Sequence, residues 1–83
     1  MGNKMRILYE EDYELEAELT KIILEENEFI VDIAVTGEEA WNAYNRQKPD
    51  ILLLDLNMPL KDGIEVTRLI RKKDPLTRII IYT

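Results

Sequence analysis

The chain alternates between short apolar runs and longer amphipathic segments, a pattern that predicts strands and helices in turn. The apolar runs predict β-strands at residues 6–10, 29–35, 51–55 and 78–83. The segments between them carry apolar residues at helical spacing, which predicts α-helices at about residues 13–26, 37–47 and 64–73. Such alternation is typical of an α/β fold, in which the strands pair in parallel through right-handed crossovers.

The character of the individual strands indicates their order in the sheet. The run at 51–55 is apolar almost throughout, as expected of a strand buried on both faces. The run at 29–35 has one face more apolar than the other, as expected of an edge strand. This difference favours the strand order 2-1-3-4, with helices on both faces of the sheet. A crevice then opens between the carboxyl ends of the first and third strands.

Local signals mark features of the three helices. In the first helix, an apolar stripe at positions i, i+4, i+7 and i+8 is formed by Leu15, Leu19, Ile22 and Ile23. Thr36 and Glu39 have the spacing of a capping box at the start of the second helix. After the third strand, Pro59 and Asp62-Gly63 indicate a loop, so the third helix is expected to begin at Ile64.

Composition narrows the chemistry that the chain can perform. Its 83 residues suffice for one domain, which we place at residues 1–83. A net charge of −6 argues against nucleic-acid binding by this segment, because phosphate contacts need clustered lysine and arginine. The absence of cysteine and histidine excludes disulfides, thiolate metal sites and imidazole catalysis. No apolar run approaches the roughly 20 residues that span a membrane, so we expect a cytoplasmic protein.

Three carboxylates are predicted to meet in the crevice between the first and third strands. Glu11 and Asp12 follow the first strand and Asp55 ends the third, and neighbouring strands lie about 4.8 Å apart. Each acid alone would more commonly be a helix cap or a loop residue. Together they repel one another, and a divalent cation such as Mg²⁺, which prefers oxygen ligands, relieves this repulsion. The backbone carbonyl of Asn57 is close enough in sequence to be a further ligand.

A cation at this position suits phosphoryl transfer. It can hold the incoming phosphoryl oxygens and neutralise charge while the carboxylate of Asp55 attacks the phosphorus. The product of that attack would be an aspartyl phosphate.

The same residues resemble those of a known family, the receiver domains of two-component response regulators. The resemblance covers essentially the whole chain and implies a flavodoxin-like fold of five alternating strands and helices. The matching segments, in family-like order and spacing, are Glu11-Asp12 after an apolar strand, Ala34-x-x-Gly37-x-Glu39-Ala40, Pro49-Asp50 before the run that ends at Asp55, Met58-Pro59, Asp62-Gly63 and Thr83.

The resemblance also implies roles for individual residues. Asp55 would be the phosphoacceptor. Glu11, Asp12 and Asp55, with the carbonyl of Asn57, would hold Mg²⁺. Thr83 would be the hydroxyl that moves to bond the phosphoryl group and so switches the surface. The phosphoryl group would come from a histidine kinase or a phosphotransfer protein, and the domain would be a signalling module and not an enzyme with a separate substrate.

The match to the family is incomplete at the carboxyl end. The family's fold continues with a fourth helix, a fifth strand and a fifth helix, and its lysine that pairs with the phosphoryl group follows the fifth strand. None of these has a counterpart in the sequence. We therefore expect an incomplete flavodoxin-like sheet that self-associates and thereby buries the strand at 78–83 and the uncovered sheet face.

The sequence leaves alternative functions open. One is a phosphorylation-incompetent receiver fragment that acts by, or only undergoes, self-association. Another is a phosphatase of the haloacid-dehalogenase type, which also forms an aspartyl phosphate. That class is disfavoured because it requires a second aspartate two residues after the nucleophile, where this chain has Asn57. Dinucleotide binding is disfavoured as well, because no GxGxxG motif occurs.

Overall fold

The computed structural model of the chain describes residues 4–55 and 60–82, and strands and helices alternate within them as predicted. The strands are β1 (Arg6–Glu10), β2 (Ile30–Ala34), β3 (Ile51–Asp55) and β4 (Arg78–Tyr82). The helices are α1 (Glu14–Glu26), α2 (Gly37–Gln47) and α3 (Leu60–Lys73). None of these helices is long and apolar enough to cross a membrane.

The four strands form one parallel sheet in the order β2-β1-β3-β4, which confirms the predicted α/β fold and strand order. β3 is apolar on both sides: Leu52 and Leu54 are buried on one face, and Leu53 packs on the other. Glu10 pairs in register with Ala34 of β2 and with Leu54 of β3. The carboxyl ends of β1, β2 and β3 therefore lie at the same edge of the sheet.

Alternate residues of the strands build two cores, one on each face of the sheet. On one face, α2 and α3 cover a cluster that includes Leu8, Tyr44, Leu52, Val66 and Ile70. On the other face, α1 covers a smaller cluster formed by Ile7, Tyr9, Ala17 and Val31. Helices therefore lie on both faces, with α1 on one and α2 and α3 on the other.

The apolar stripe of α1 points away from the sheet. The helix contacts the core through Ala17, which is 3% exposed, and through the partly buried Leu24. With 3.6 residues per turn, these two positions lie on the opposite side of the helix from the stripe. The stripe residues are 57, 54, 52 and 59% exposed, in the order Leu15, Leu19, Ile22 and Ile23. The sequence pattern identifies the stripe but does not show that α1 packs through the other side.

α3 begins four residues earlier than predicted, at Leu60, so the prediction of a turn at Asp62-Gly63 is wrong. No glycine among the described residues has a positive φ, and the hydroxyl of Thr67 donates to the carbonyl of Gly63, four residues earlier, across 2.8 Å. The helix dipole favours an aspartate in the first turn, and a glycine inside a helix costs only about 1 kcal/mol relative to alanine. The local turn preference is therefore overridden when α3 packs on the sheet.

The capping box of α2 forms in a modified way. The backbone N–H of Glu39 donates to Oγ1 of Thr36 across 3.1 Å, as predicted. The carboxylate of Glu39 accepts a hydrogen bond from the backbone N–H of Val35 at 2.7 Å, one residue before the cap. Both bonds order the connection between β2 and α2 at the carboxyl edge of the sheet.

Candidate functional site

The carboxyl ends of β1 and β3 bring three acidic side chains together. Because Glu10 is paired with Leu54, the next residues along the two strands, Glu11 and Asp55, lie side by side. Asp12 follows directly, and one carboxylate oxygen from each of these three acids lies within 4.8 Å of the other two. The three acids that the sequence places in the crevice therefore form one cluster.

The acids of the cluster differ in their exposure to solvent. Glu11 and Asp55 are 1% and 4% exposed, whereas Asp12 is exposed. The pKa of Glu11 is raised to about 7, chiefly by burial and then by a side-chain hydrogen bond to Asp55 and the negative charge of that residue. Around neutral pH, Glu11 therefore retains its proton in part of the molecules, and a divalent cation would displace it.

Two hydrogen bonds hold Glu11 in place. The hydroxyl of Tyr9 donates to Oε1 across 3.3 Å, and the backbone N–H of Tyr13 donates to Oε2 across 3.2 Å. Tyr9 is fully buried, so the packing of its ring determines where the hydroxyl lies. Tyr9 is a residue of the site that the motifs in the sequence do not indicate. Its position two residues before Glu11, on the same face of an extended segment, is the signal that could have identified it.

Glu10 is a third buried acid at this edge, after Glu11 and Asp55. The sequence does not distinguish it from the acids that follow it. It is the first of three consecutive acids and is 0% exposed. Strand alternation places it on the same face as Leu8, which is covered by α2 and α3. Glu10 is not one of the three clustered carboxylates. The end of β1 therefore presents acids toward both faces of the sheet.

The ligand atoms of the cluster fit a hard divalent cation. All three side chains offer carboxylate oxygens, and Mg²⁺ needs only a few protein oxygens because it retains several waters. A cation would also relieve the repulsion between the buried carboxylates of Glu11 and Asp55. The predicted further ligand, the carbonyl of Asn57, lies outside the described residues. The predicted switch hydroxyl of Thr83 lies outside them as well, as do Met58 and Pro59.

The fold and the acidic cluster together define a class of protein. A doubly wound parallel sheet of order 2-1-3-4 carries its functional site where the strand order reverses, between the carboxyl ends of β1 and β3, and the three acids lie at that position. The model of the response regulator receiver domain matches residues 7–83. The chain therefore belongs to this family of signalling modules of two-component systems.

Individual relatives agree with the family assignment. The chain is 38% identical over 78 residues to the chemotaxis protein CheY of Halobacterium salinarum, covering 94% of this chain and 65% of that protein. The structure of the Francisella response regulator 1452 receiver domain is similar with a TM-score of 0.84 and 31% identity, over 94% of this chain and 64% of that one. The response regulator TrrA from Thermotoga maritima, in complex with Mg²⁺-BeF, has a TM-score of 0.85 and 38% identity, over 93% of this chain and 67% of that one. The chain thus spans about two thirds of the length of these relatives.

Proposed function

We propose that this receiver domain accepts a phosphoryl group on Asp55, with Mg²⁺ held by Glu11, Asp12 and Asp55. The observation that carries the proposal is the grouping of these three acids, with carboxylate oxygens within 4.8 Å of one another at the carboxyl edge of the sheet. The related regulator TrrA was solved in complex with Mg²⁺-BeF, which supports a Mg²⁺-dependent function for this chain.

The proposed reaction is a nucleophilic substitution at phosphorus. A carboxylate oxygen of Asp55 forms a bond to the phosphorus of the donor while the bond from phosphorus to the leaving atom breaks. The leaving group departs with the bonding electrons: acetate leaves as an anion, whereas the imidazole of a phosphohistidine donor leaves in its protonated, neutral form. The product is an aspartyl phosphate, a mixed anhydride. When bound, Mg²⁺ supplies positive charge that offsets the negative charge of the phosphoryl oxygens.

The residues of the chain prepare the site for this reaction. Glu11 must release its proton before it binds a cation, because ligating carboxylates are ionised, and its raised pKa of about 7 places that step near neutral pH. The hydrogen bonds from Tyr9 and Tyr13 orient both oxygens of Glu11. The exposed Asp12 lies at the solvent side of the cluster, where a hydrated cation would enter.

A histidine kinase or a phosphotransfer protein is the proposed donor. The family resemblance supports this partner, and it also supports the carbonyl of Asn57 as a further Mg²⁺ ligand and Thr83 as the hydroxyl that responds to the phosphoryl group. On this proposal the chain is a signalling module that assists its own modification, and not an enzyme with a separate substrate.

Incubation of the purified chain with acetyl phosphate and Mg²⁺ tests the proposal. The intact mass should increase by one phosphoryl group, and Asp55→Asn should prevent the increase. Asp50→Asn is a matched control, because Asp50 is exposed just before the opposite end of β3 and accepts a hydrogen bond from the backbone N–H of Arg6. A folded wild-type chain that stays unmodified, or an Asp55→Asn chain that is modified, would contradict the proposal.

Self-association is a second proposed function, favoured by the exposed aliphatic surface. The stripe of α1 has four side chains that are each more than half exposed. Ile80 and Ile81 belong to β4, one edge of the described sheet, and are 50% and 49% exposed. Apolar patches and strand edges of this kind are features of association sites. Sedimentation velocity should show a sedimentation coefficient that rises with micromolar concentration, and a monomer at every concentration would contradict this function.

A further inference from the structure

We propose that the chain self-associates head to tail, with the outer face of α1 in one copy packing against the outer face of α3 in a second copy. This inference rests on the proposed self-association and assigns the two surfaces that make the contact. The outer face of α1 is the exposed aliphatic stripe together with the glutamates beside it. The outer face of α3 is formed by Ile64, Arg68 and Lys72.

The outer face of α1 is acidic as well as aliphatic. α1 contains five glutamates and one lysine, a net charge of −4. Glu14, Glu18 and Glu25 lie along one side of the stripe when the helix is viewed down its axis, and all three are exposed. A partner that covers this face must therefore supply apolar surface together with positive charge.

The outer face of α3 has this complementary character. α3 contains five basic and two acidic residues, a net charge of +3. Ile64, Arg68 and Lys72 follow at four-residue spacing on the side opposite the buried residues of the helix, and all three are exposed. Ile64 is 42% exposed, and Leu76, three residues after the helix, is 89% exposed. Ile64 therefore places an exposed aliphatic side chain beside the two basic ones on this face, and Leu76 adds apolar surface after the end of the helix.

Two other basic residues of α3 make contacts within the molecule. Arg71 donates hydrogen bonds to backbone carbonyls that follow the helix. Lys73 lies 5.8 Å from the centroid of the Trp41 ring, a cation–π contact. Arg68 and Lys72 are thus the basic side chains of the outer face best placed to meet a partner.

Charge argues against the simplest alternative, in which α1 pairs with a second α1. The aliphatic stripe could pack on its own copy, but the glutamates that flank it would then face glutamates of the other chain. Like charges across a helix pair disfavour association, whereas opposite charges favour it and select the partner. α3 of a second copy offers the opposite charge, and α1 does not.

The positions of the two faces determine the symmetry of the assembly. α1 lies on one face of the sheet and α3 on the other. When α3 of one copy packs on α1 of a second copy, the remaining α1 and α3 faces point away from each other. The same two copies therefore cannot form the contact twice. The contact is heterologous, and each added copy leaves one α1 face and one α3 face open. Such an assembly continues to grow beyond a dimer.

Two complementary variants of the 83-residue chain test the assignment. The α1 variant carries Leu19→Gln and Ile22→Gln, at positions that are more than half exposed. The α3 variant carries Arg68→Glu and Lys72→Glu, at exposed positions. Each variant alone should associate more than about tenfold more weakly than wild type in sedimentation velocity. An equimolar mixture should form a 1:1 complex that does not grow, because each partner retains one intact face. Far-ultraviolet circular dichroism checks that both variants are folded.

Salt dependence provides a second readout. Association should weaken as the salt concentration rises from about 0.01 M to about 1 M, because the Debye length falls from about 30 Å to about 3 Å over this range. A purely apolar contact would not weaken in this way.

Other outcomes separate failure of this assignment from failure of self-association. A wild-type chain that is monomeric at every concentration would refute self-association itself. If the α1 variant no longer associates and the α3 variant still does, α1 pairs with α1 of a second copy. That contact gives a dimer that does not grow further. Association that neither variant weakens would indicate contact through the edge of β4. The last two results overturn the head-to-tail contact while retaining self-association.

Discussion

The hydroxyl of Tyr9 donates a hydrogen bond across 3.3 Å to Oε1 of Glu11, from a fully buried position at the carboxyl edge of the sheet. The bond orients one of the carboxylates proposed to hold Mg²⁺. Groups that position metal ligands in this way commonly contribute ten- to hundredfold to metal affinity. The contribution of Tyr9 to the site can therefore be measured apart from the ligands themselves.

Tyr9→Phe is expected to weaken Mg²⁺ binding by about tenfold, because the ring still packs while the hydrogen bond to Glu11 is lost. Isothermal titration calorimetry at neutral pH measures the change. Tyr44→Phe is the matched control: its hydroxyl bonds Thr77 across 2.8 Å in the core on the other face, so its loss should leave Mg²⁺ affinity unchanged. Equal affinities in Tyr9→Phe and wild type would show that Glu11 does not need this bond.

In the absence of Mg²⁺, stability is expected to fall as the pH rises from 4.5 to about 7. The pKa of Glu11 is raised from 4.5 to about 7 in the folded chain, so folding favours proton binding. The resulting stabilisation is complete below pH 4.5 and is lost as the pH passes 7, a change of ~3 kcal/mol in the free energy of unfolding.

Urea denaturation across this pH range measures the effect. Glu11→Gln cannot titrate and should remove the fall in stability, which makes it the control for the assignment to Glu11. A wild-type stability that is constant or rises between mildly acidic and mildly alkaline pH would contradict the prediction.

Gly63→Ala is expected to stabilise the chain. Gly63 lies inside α3, and a Cβ built on it meets no atom of the described residues within 4 Å apart from its chain neighbours and the backbone of its own helix. Alanine has the higher helix propensity and fewer conformations in the unfolded chain, so the free energy of unfolding should rise by about 0.5–1 kcal/mol. Urea denaturation measures this change. A decrease would indicate that Gly63 adopts a turn conformation that alanine cannot, and that α3 begins further along the chain.

Thr77→Val is expected to destabilise the chain by about 1–2 kcal/mol. The bond between the hydroxyls of Tyr44 and Thr77 joins α2 to the segment before β4, and both residues are buried. Valine matches the shape of threonine but removes the hydroxyl that bonds Tyr44 and also the side chain of Asp74. The Tyr44 hydroxyl keeps its longer bond to Asp74, at 3.3 Å.

Thermal or urea denaturation compares this variant with Thr67→Val, the matched control. The hydroxyl of Thr67 bonds a carbonyl of its own helix, so its removal should cost less than the loss of the contact made by Thr77. Equal effects of the two substitutions would show that the bond between Tyr44 and Thr77 contributes no more to stability than the bond of Thr67 within its own helix.

The sequence alone favours the observed strand order and predicts that the acids meet. A strand with apolar side chains on both of its sides is stable when both sides are buried. The segment at 51–55 is such a strand and is therefore predicted to lie inside the sheet. Parallel strands end at one edge, so Glu11 and Asp55 must approach each other once β1 and β3 are neighbours. Both inferences depend on periodicity and chain topology, which the order of residues encodes directly.

The packing of the helices on the sheet determines which side of α1 is buried and where α3 begins, and the periodicity of the sequence does not. The stripe on α1 is evident from its spacing, yet the helix meets the sheet through Ala17 and Leu24 on its other side. Asp62-Gly63 favours a turn locally, yet α3 extends back to Leu60. In both cases the favourable contacts come from residues distant in sequence, and local preferences of about 1 kcal/mol are too weak to oppose them.

The burial of Glu10 and the hydrogen bond from Tyr9 to Glu11 also depend on packing. Three consecutive acids look alike along the chain, and only the helices that cover each face of the sheet make one of them buried and another exposed. Burial and hydrogen bonding arise between elements, because each requires a surface that another part of the chain supplies.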